Sequence, residues 1–270
     1  MKSVFINDPK ELVEVVNGHA NGFVFRGQAN ATWPLASSLE RMLKPVWEQD
    51  SFDFKKYEDY TIKMFSGKYH LYTSDLIKPV SKLEILALMQ HYGAPTRLVD
   101  FTQSPYLALY FAMETYNPLD GNDFSLFAVD CTSLMKRSLK KLEELDNKFD
   151  HDLESLEEKK DAIFDDIIDR FTHELLWVTE PKIINRRLDL QAGSFLTSIN
   201  RRTKIEDAMM NPIYSDVEMV KYQISSSLYE TVYVLLRKAN ITSKSIYGDL
   251  EGLGRSVRME LAAYARPKSS

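Results

Sequence analysis

Cysteine is almost absent from this sequence of 270 residues, which contains only Cys131. A disulfide within the chain is therefore impossible, and no zinc site can be built from several cysteines. A lone cysteine that follows an apolar run is most often a small buried residue, and we expect this of Cys131. The scarcity of cysteine also indicates a reducing compartment, so we expect a cytoplasmic protein.

The sequence also lacks an excess of positive charge and long apolar runs. Its formal net charge is −5, which disfavours a dedicated nucleic-acid-binding protein, because phosphate contacts need a basic face. A local basic patch is still compatible with this charge. No window approaches the roughly 18 consecutive apolar residues of a transmembrane helix. Charged residues interrupt residues 1–9, so we expect no secretory signal.

The common catalytic signatures are missing as well. There is no Walker loop, no glycine fingerprint for dinucleotides and no Gly-x-Ser-x-Gly elbow. The five histidines show no metal-ligand spacing, so we expect no metal site. Function therefore has to be argued from polar clusters that belong to none of these motifs.

Strand and helix patterns alternate irregularly along the chain. Aromatic and β-branched residues predict strands at 23–26, 97–101, 124–130 and 229–236, a strand region at 183–190, and a turn at 191–195 into another short strand. Capping residues and apolar spacing predict helices at 8–18, 39–42, 52–66, 83–91, 104–115 and 253–265. We therefore predict an α+β fold with a mixed, largely antiparallel sheet core and flanking helices.

Residues 133–176 have a different composition. Leucines and other apolar residues recur at steps of three and four between many Lys, Glu and Asp residues. This spacing predicts a long amphipathic helix or a helical pair. We interpret the segment as an insertion within a single domain of residues 1–270. The insertion either lies over the domain or faces a protein partner.

Polar residues are concentrated where a short apolar run meets the start of a helix. They are Thr96, Arg97, Asp100, Thr102 and Ser104. Ligands often bind at such junctions, because a strand aims the side chains and a helix N-terminus favours anions. Thr102 and Ser104 also suit helix capping, and Ser104 favours that role.

Arg26 stands at the end of a predicted strand, directly before a glycine. Its guanidinium either forms a structural ion pair, for which Asp100 is a natural partner, or binds a phosphate or carboxylate with its planar fork. Gln191, which follows a basic stretch, and the acidic residues Asp249 and Glu251 are further candidate polar groups.

Four blocks of the sequence resemble the FRG domain family, which is named for a Phe-Arg-Gly motif. In order, the blocks are Phe25-Arg26-Gly27-Gln28, residues 90–102 with the continuation 108–112, Gln191-x-Gly193-x-Phe195, and residues 248–253. The resemblance covers residues 20–130 and 183–258. Phe101 replaces a common tryptophan, and Tyr247-Gly248 replaces the usual Phe-Pro. The family is mostly uncharacterised, and some bacterial members are suspected of roles in phage defence or as toxins.

The order of these motifs is also similar to that of ADP-ribosyltransferases. The similarity implies an NAD-consuming transferase or NAD glycohydrolase, in which a basic residue and a glycine on the first strand contact NAD and a late acidic or amide residue orients the ribose. On this basis the catalytic candidates are Arg26, Asp100, Thr102, Gln191 and Glu251. The candidates for contacts to NAD are Gly27, Gln28, Thr96, Arg97 and Ser104.

Two alternatives stay open at this level. A non-catalytic module would bind a nucleotide or another anionic small molecule through its arginines, and a protein partner through residues 133–176. A nuclease would hold magnesium through Asp100, Asp249 and Glu251, although no compact acidic motif favours it. The enzyme and the module both require Arg26 and the cluster around Asp100 to share one accessible hollow.

Overall fold

The computed structural model describes residues 1–47, 49, 53–72, 78–118, 120–147, 149, 151–170, 172–182, 189–248 and 250–265. Within them lie the strands β1 (Lys2–Ile6), β2 (Phe23–Gln28), β3 (Val99–Thr102), β4 (Phe124–Asp130), β5 (Leu176–Thr179), β6 (Gly193–Ser198) and β7 (Met219–Ile224). These strands form one sheet in the order β1-β7-β4-β2-β3-β6-β5. Among these described strands, only β1 and β7 pair in parallel. The predicted α+β fold with a mixed, largely antiparallel sheet is confirmed.

Helices flank this sheet. They are α1 (Pro9–Gly18), α2 (Ser38–Leu43), α3 (Phe54–Ser66), α4 (Lys82–His91), α5 (Pro105–Glu114), α6 (Cys131–Leu145), α7 (Leu153–Ile163), α8 (Ile205–Met209), α9 (Tyr229–Lys238), α10 (Ser243–Tyr247) and α11 (Leu250–Ala265). Short 3-10 turns occur at Lys44–Val46, Tyr69–Leu71, Pro212–Tyr214 and Ser226–Leu228, and a π-helical turn at Phe164–Ile168. In the described ranges, no helix combines the length and apolar character needed to cross a bilayer.

The core lies on both faces of the sheet, as the alternation of side chains along β4 shows. Phe127 and Val129 belong to a cluster that includes residues of α4, α6 and α7. Phe124, Leu126 and Ala128 belong to a second cluster, with residues of α1, α5 and α9. The central strands are therefore covered by helices on both sides, and the molecule has three layers.

The predicted helical region 133–176 is a helical pair, α6 and α7, followed by the π-helical turn. Its residues Leu134, Leu142, Ile163 and Phe164 are buried in the same cluster as the sheet residue Phe127. This helical segment therefore packs on the sheet. The protein's own sheet and α4 cover these four residues, so they are not available to a partner.

The largest error in the predicted secondary structure concerns residues 229–236, which form helix α9 and not a strand. Tyr229, Val232 and Leu236 are buried at helical spacing, whereas β-branched and aromatic content alone favoured a strand. Strands β1, β5 and β7 were not predicted. Of the predicted strand region 183–190, residues 183–188 lie outside the described residues.

Cys131 begins α6 and is half-buried, so it is less enclosed than expected. Burial raises the pKa of its thiol to about 12, and the neighbouring carboxylate of Asp130 adds to the increase. The thiol is therefore protonated at neutral pH and is a poor nucleophile.

Candidate ligand-binding site

A large cavity opens where β2 and β3 separate. β2 pairs with β4 along its whole length but with β3 only through the pair Phe25–Thr102. Beyond that pair, a cavity of about 780 Å³ lies between the two halves of the sheet. Its lining includes residues 25–29 of β2 and the following loop, 100–102 of β3 and 193–195 of β6. The volume suits a ligand of nucleotide or dinucleotide size.

Helix α5 closes the cavity on one side because it approaches β2 very closely at Gly27. A Cβ atom at this position would lie 1.8 Å from the carbonyl oxygen of Ala108 and 2.7 Å from the amide nitrogen of Ala112. Both alanines are fully buried. The glycine of the Phe-Arg-Gly motif is therefore required for helix–strand packing, and it also lines the cavity.

Arg26 bridges the gap between the separated strands. Its Nη1 donates a hydrogen bond of 2.8 Å to the carbonyl oxygen of Asp100 and lies 3.8 Å from the Oδ2 atom of that residue. Burial lowers the pKa of the guanidinium, with Asp100 opposing and Arg41 reinforcing the change. Arginine nevertheless stays cationic in proteins. The Nε atom is buried without a partner in the protein, so the side chain keeps an unused donor.

Asp100 presents its carboxylate to the cavity and is held there by Gln90. The Gln90 side chain donates a hydrogen bond of 2.8 Å to Oδ2 of Asp100 and accepts one of 2.6 Å from Oγ1 of the fully buried Thr96. The Asp100 side chain is 57% exposed. A ligand can therefore reach a carboxylate whose orientation is set by a chain of hydrogen bonds that ends at a buried threonine.

The charges that line the cavity are predominantly positive. Arg41 of α2 and Lys44 of the following turn join Arg26, and both are exposed. The carboxylate of Glu114 is already paired with Arg255 at 2.9 Å. Among the described lining residues, this leaves Asp100 as the carboxylate that opposes the three cations, so the electrostatic field favours an anionic ligand.

Three neutral side chains of the lining also carry polar atoms that are buried and have no partner in the protein. They are Oε1 of Gln28, Nε2 of Gln191 and Oγ of Ser194. Buried polar atoms are nearly always hydrogen-bonded in proteins. Their position around one cavity is therefore an independent indication that the cavity holds a polar ligand or ordered water.

The structure thus brings Arg26, Gly27, Gln28, Asp100, Thr102 and Gln191 together around one cavity. The Thr102 hydroxyl is already committed. It donates a hydrogen bond of 2.7 Å to the carbonyl oxygen of Gln191 and accepts one of 3.1 Å from the Ser104 amide. Thr102 therefore orients the segment that carries Gln191.

Ser104 and Thr96 lie outside the cavity lining. Ser104 caps α5, accepting a hydrogen bond of 3.3 Å from the Leu107 amide. Thr96 is fully buried and acts on the site only through Gln90. Neither side chain lines the cavity, so the prediction that these two residues contact NAD gains no support from their positions.

Arg97 also departs from its predicted place. It is 3% exposed and belongs to an ion network with Glu58, Asp169, Lys82 and Arg201. Its Nε lies 3.1 Å from Oε1 of Glu58. Arg97 is not among the described residues that line the cavity, so the prediction that it contacts NAD gains no support from its position.

The two acidic candidates near the end of the sequence, Asp249 and Glu251, are not among the residues whose side chains the structure describes. Asp249 lies outside the described residues, and the side chain of Glu251 does too, although its backbone belongs to α11. Across the residues that are described, no group of three or more His, Cys, Asp or Glu side chains could hold a metal ion.

Sequence reasoning missed several residues that line the cavity. Ser194 and Gln90 both lay within recognised blocks, but neither was selected as a candidate site residue. Arg41, Lys44 and Glu114 carried no local signal, because their spacing along the chain does not relate them to Arg26. A search for every polar residue within the recognised blocks would have found the first two.

Residues 21–121 match the family model of the FRG domain, and the chain therefore contains an FRG domain. The matched segment includes β2, β3 and α5, which supply much of the cavity lining. The blocks at 191–195 and 248–253 lie beyond it. Comparison with curated proteins and with solved structures gave no significant match.

Proposed function

We propose that the FRG domain binds NAD in the cavity between β2 and β3 and cleaves its nicotinamide–ribose bond, as an ADP-ribosyltransferase or NAD glycohydrolase. The observation that carries this proposal is the position of Arg26. Its largely buried guanidinium has an unused donor and lies beside a reachable carboxylate in a cavity of dinucleotide size.

The cationic lining suits the two phosphates of NAD. A guanidinium binds phosphate oxygens with paired N–H donors, and burial strengthens such contacts. Arg26 would bind the pyrophosphate deep in the cavity, with Arg41 and Lys44 attracting it at the entrance. Trp33, which is half-exposed in the lining, offers a flat surface on which an aromatic base can stack.

Asp100 is suited to the bond cleavage. When the bond between C1′ and the nicotinamide nitrogen breaks, its electron pair leaves with neutral nicotinamide, and the ribose gains oxocarbenium character. A nearby carboxylate stabilises that positive charge. Water or the hydroxyl of an acceptor then bonds to C1′, and its proton passes to Asp100 or to solvent. With water, the products are ADP-ribose, nicotinamide and one proton.

The test is the release of nicotinamide from labelled NAD by the purified protein, with and without cell extract. We expect release by the wild type and a loss of about 100-fold in Arg26→Ala, which removes the largely buried cation that would bind the pyrophosphate. Arg137→Ala is the matched control. That arginine lies on the surface of α6, paired with Asp216 and outside the cavity lining, so its loss leaves the rate unchanged.

Three outcomes separate the alternatives. Release of nicotinamide together with transfer of label to a macromolecule identifies a transferase, and release alone identifies a glycohydrolase. Thermal stabilisation by NAD without consumption identifies a binding module and contradicts the enzymatic proposal.

An active enzyme would deplete the NAD of a cell that expresses it, which is how we propose that it acts as a toxin or in phage defence.

A further inference from the structure

The neutral polar side chains that line the cavity indicate features of the ligand that the charged side chains do not. Gln28 is 6% exposed and Ser194 is 7% exposed, and each has a buried polar atom without a partner in the protein. A simple anion needs only donors and cations around it. The chemical type of these unused atoms therefore restricts what else the ligand contains.

Gln28 supplies an acceptor. Its Nε2 donates a hydrogen bond of 3.1 Å to the carbonyl oxygen of Pro34, which fixes the orientation of the amide, since the reverse orientation would place two oxygens together. Oε1 is therefore the unused end. A phosphate or carboxylate at neutral pH has no hydrogen to give to this atom, so Gln28 requires a ligand with a donor.

Gln191 and Ser194 supply complementary groups from one short segment. Nε2 of Gln191 is a donor, and Oγ of Ser194 can donate or accept. The Gln191 backbone is tied to Thr102 by a hydrogen bond of 2.7 Å, and Ser194 pairs with Phe101 in the sheet. The backbones of both residues are therefore held in place before a ligand arrives.

We infer that Gln28, Gln191 and Ser194 form a subsite for the hydroxyl groups of a ribose whose phosphate is bound by Arg26. A sugar hydroxyl both donates and accepts, so it satisfies an acceptor and a donor at the same time. The inference rests on the proposed function only in placing a nucleotide in this cavity. It adds that the protein selects ribonucleotides over simple anions and over deoxyribose compounds.

The experiment compares ADP-ribose and inorganic pyrophosphate as ligands by isothermal titration calorimetry. We expect Ser194→Ala and Gln191→Ala each to weaken ADP-ribose binding by about tenfold, the usual size of one lost hydrogen bond in a buried site. Binding of pyrophosphate stays unchanged in both variants. Gln191 is only partly buried, so its substitution serves as the second variant if Ser194→Ala folds poorly.

Ser125→Ala is the matched control. Ser125 is a fully buried serine of β4 with an Oγ atom that also lacks a protein partner, and it lies opposite Gln28 in the sheet. It is not among the described residues that line the cavity. Its substitution leaves both affinities unchanged. As competitors of ADP-ribose, ribose 5-phosphate outperforms 2-deoxyribose 5-phosphate by about tenfold in the wild type.

Equal weakening of ADP-ribose and pyrophosphate by the cavity variants would overturn the inference, as would equal competition by the two sugar phosphates or the absence of ADP-ribose binding. Failure of the proposed function gives a different result. Selective binding of ADP-ribose without NAD turnover contradicts the enzymatic proposal but not the ribose subsite. If both variants instead leave the NAD turnover and the ADP-ribose affinity unchanged, only the subsite is contradicted.

Discussion

At the scale of single residues, Gly27 illustrates how a missing side chain shapes a site. The carbonyl of Ala108 occupies the space that a Cβ atom would need. Helix α5 can therefore lie directly on β2, next to the arginine that bridges the gap to β3. The motif combines a cation that faces the cavity with a glycine that lets a helix form the adjacent side of it.

Replacement of Gly27 by alanine is expected to lower the free energy of unfolding by about 1–3 kcal/mol or more, because backbone atoms of α5 must move to admit the methyl group. Urea denaturation measures the change. Gly254→Ala is the control, since a Cβ at that position in α11 meets nothing within 4 Å. That variant is expected to be as stable as the wild type or up to about 1 kcal/mol more stable. If Gly27→Ala is as stable as the wild type, the contact between α5 and β2 can admit a methyl group and does not require glycine.

At the scale of secondary-structure elements, the cavity exists because strand pairing stops early. After the single pair between Phe25 and Thr102, β2 and β3 no longer exchange backbone hydrogen bonds. The Arg26 side chain takes over one of these bonds by donating to the Asp100 carbonyl. The Asp100 carbonyl thus keeps a hydrogen-bond partner although the sheet does not close there, and the space that remains can admit a ligand.

The helical pair α6 and α7 contributes buried residues to the hydrophobic core. Replacement of the fully buried Leu142 by alanine is expected to lower the free energy of unfolding by about 2–5 kcal/mol. Leu145, on the same helix and 40% exposed, is the control, and its replacement by alanine is expected to cost less than about 1 kcal/mol. Chemical denaturation of both variants measures the difference. Equal, small effects would mean that α6 is an appendage and not part of the fold.

At the scale of the whole molecule, the ion network around Asp169 connects distant parts of the chain. Asp169 follows the π-helical turn and bonds to Lys82 of α4 at 3.0 Å, to Arg97 before β3, and to Arg201 after β6. Glu58 of α3 is the second carboxylate of the network and is fully buried. Removing Asp169 would leave three cations with Glu58 as their one carboxylate in this network, which is costly.

Asp169→Asn is expected to lower the free energy of unfolding by about 3–5 kcal/mol at neutral pH. Burial alone would raise the pKa of Asp169, but Arg97, Arg201 and Lys82 together hold it below the ordinary Asp value. The stabilisation is therefore present above the unfolded pKa and is lost as pH falls through the folded pKa. Chemical denaturation of the wild type and of Asp169→Asn across acidic pH should show that the difference between their free energies of unfolding becomes smaller as the pH falls.

Asp216→Asn is the control for this experiment. Asp216 pairs with Arg137 at the surface, and surface ion pairs contribute little to stability. We expect only a small change at every pH. A difference between wild type and Asp169→Asn that stays constant as pH falls would contradict the assignment of the pH dependence to this carboxylate.

Local sequence patterns were sufficient for much of the fold. The caps Asp8 and Ser104 and the apolar run 124–130 located α1, α5 and β4 to within a residue or two, because these signals depend on neighbours in the chain. They failed for residues 229–236. There, aromatic and β-branched residues form a helix, because one side of that helix packs on α5 and the sheet.

The sequence by itself determined the α+β class and the Phe-Arg-Gly motif, and it selected Arg26 and Asp100 as candidate site residues, since each follows from local residue types and their order. Only the tertiary structure decided which polar groups act together. Arg26 and Arg97 both accompany short apolar strands, yet one bridges an open gap in the sheet and the other is enclosed by Glu58 and Asp169. That difference depends on partners distant in the chain, which local patterns do not encode.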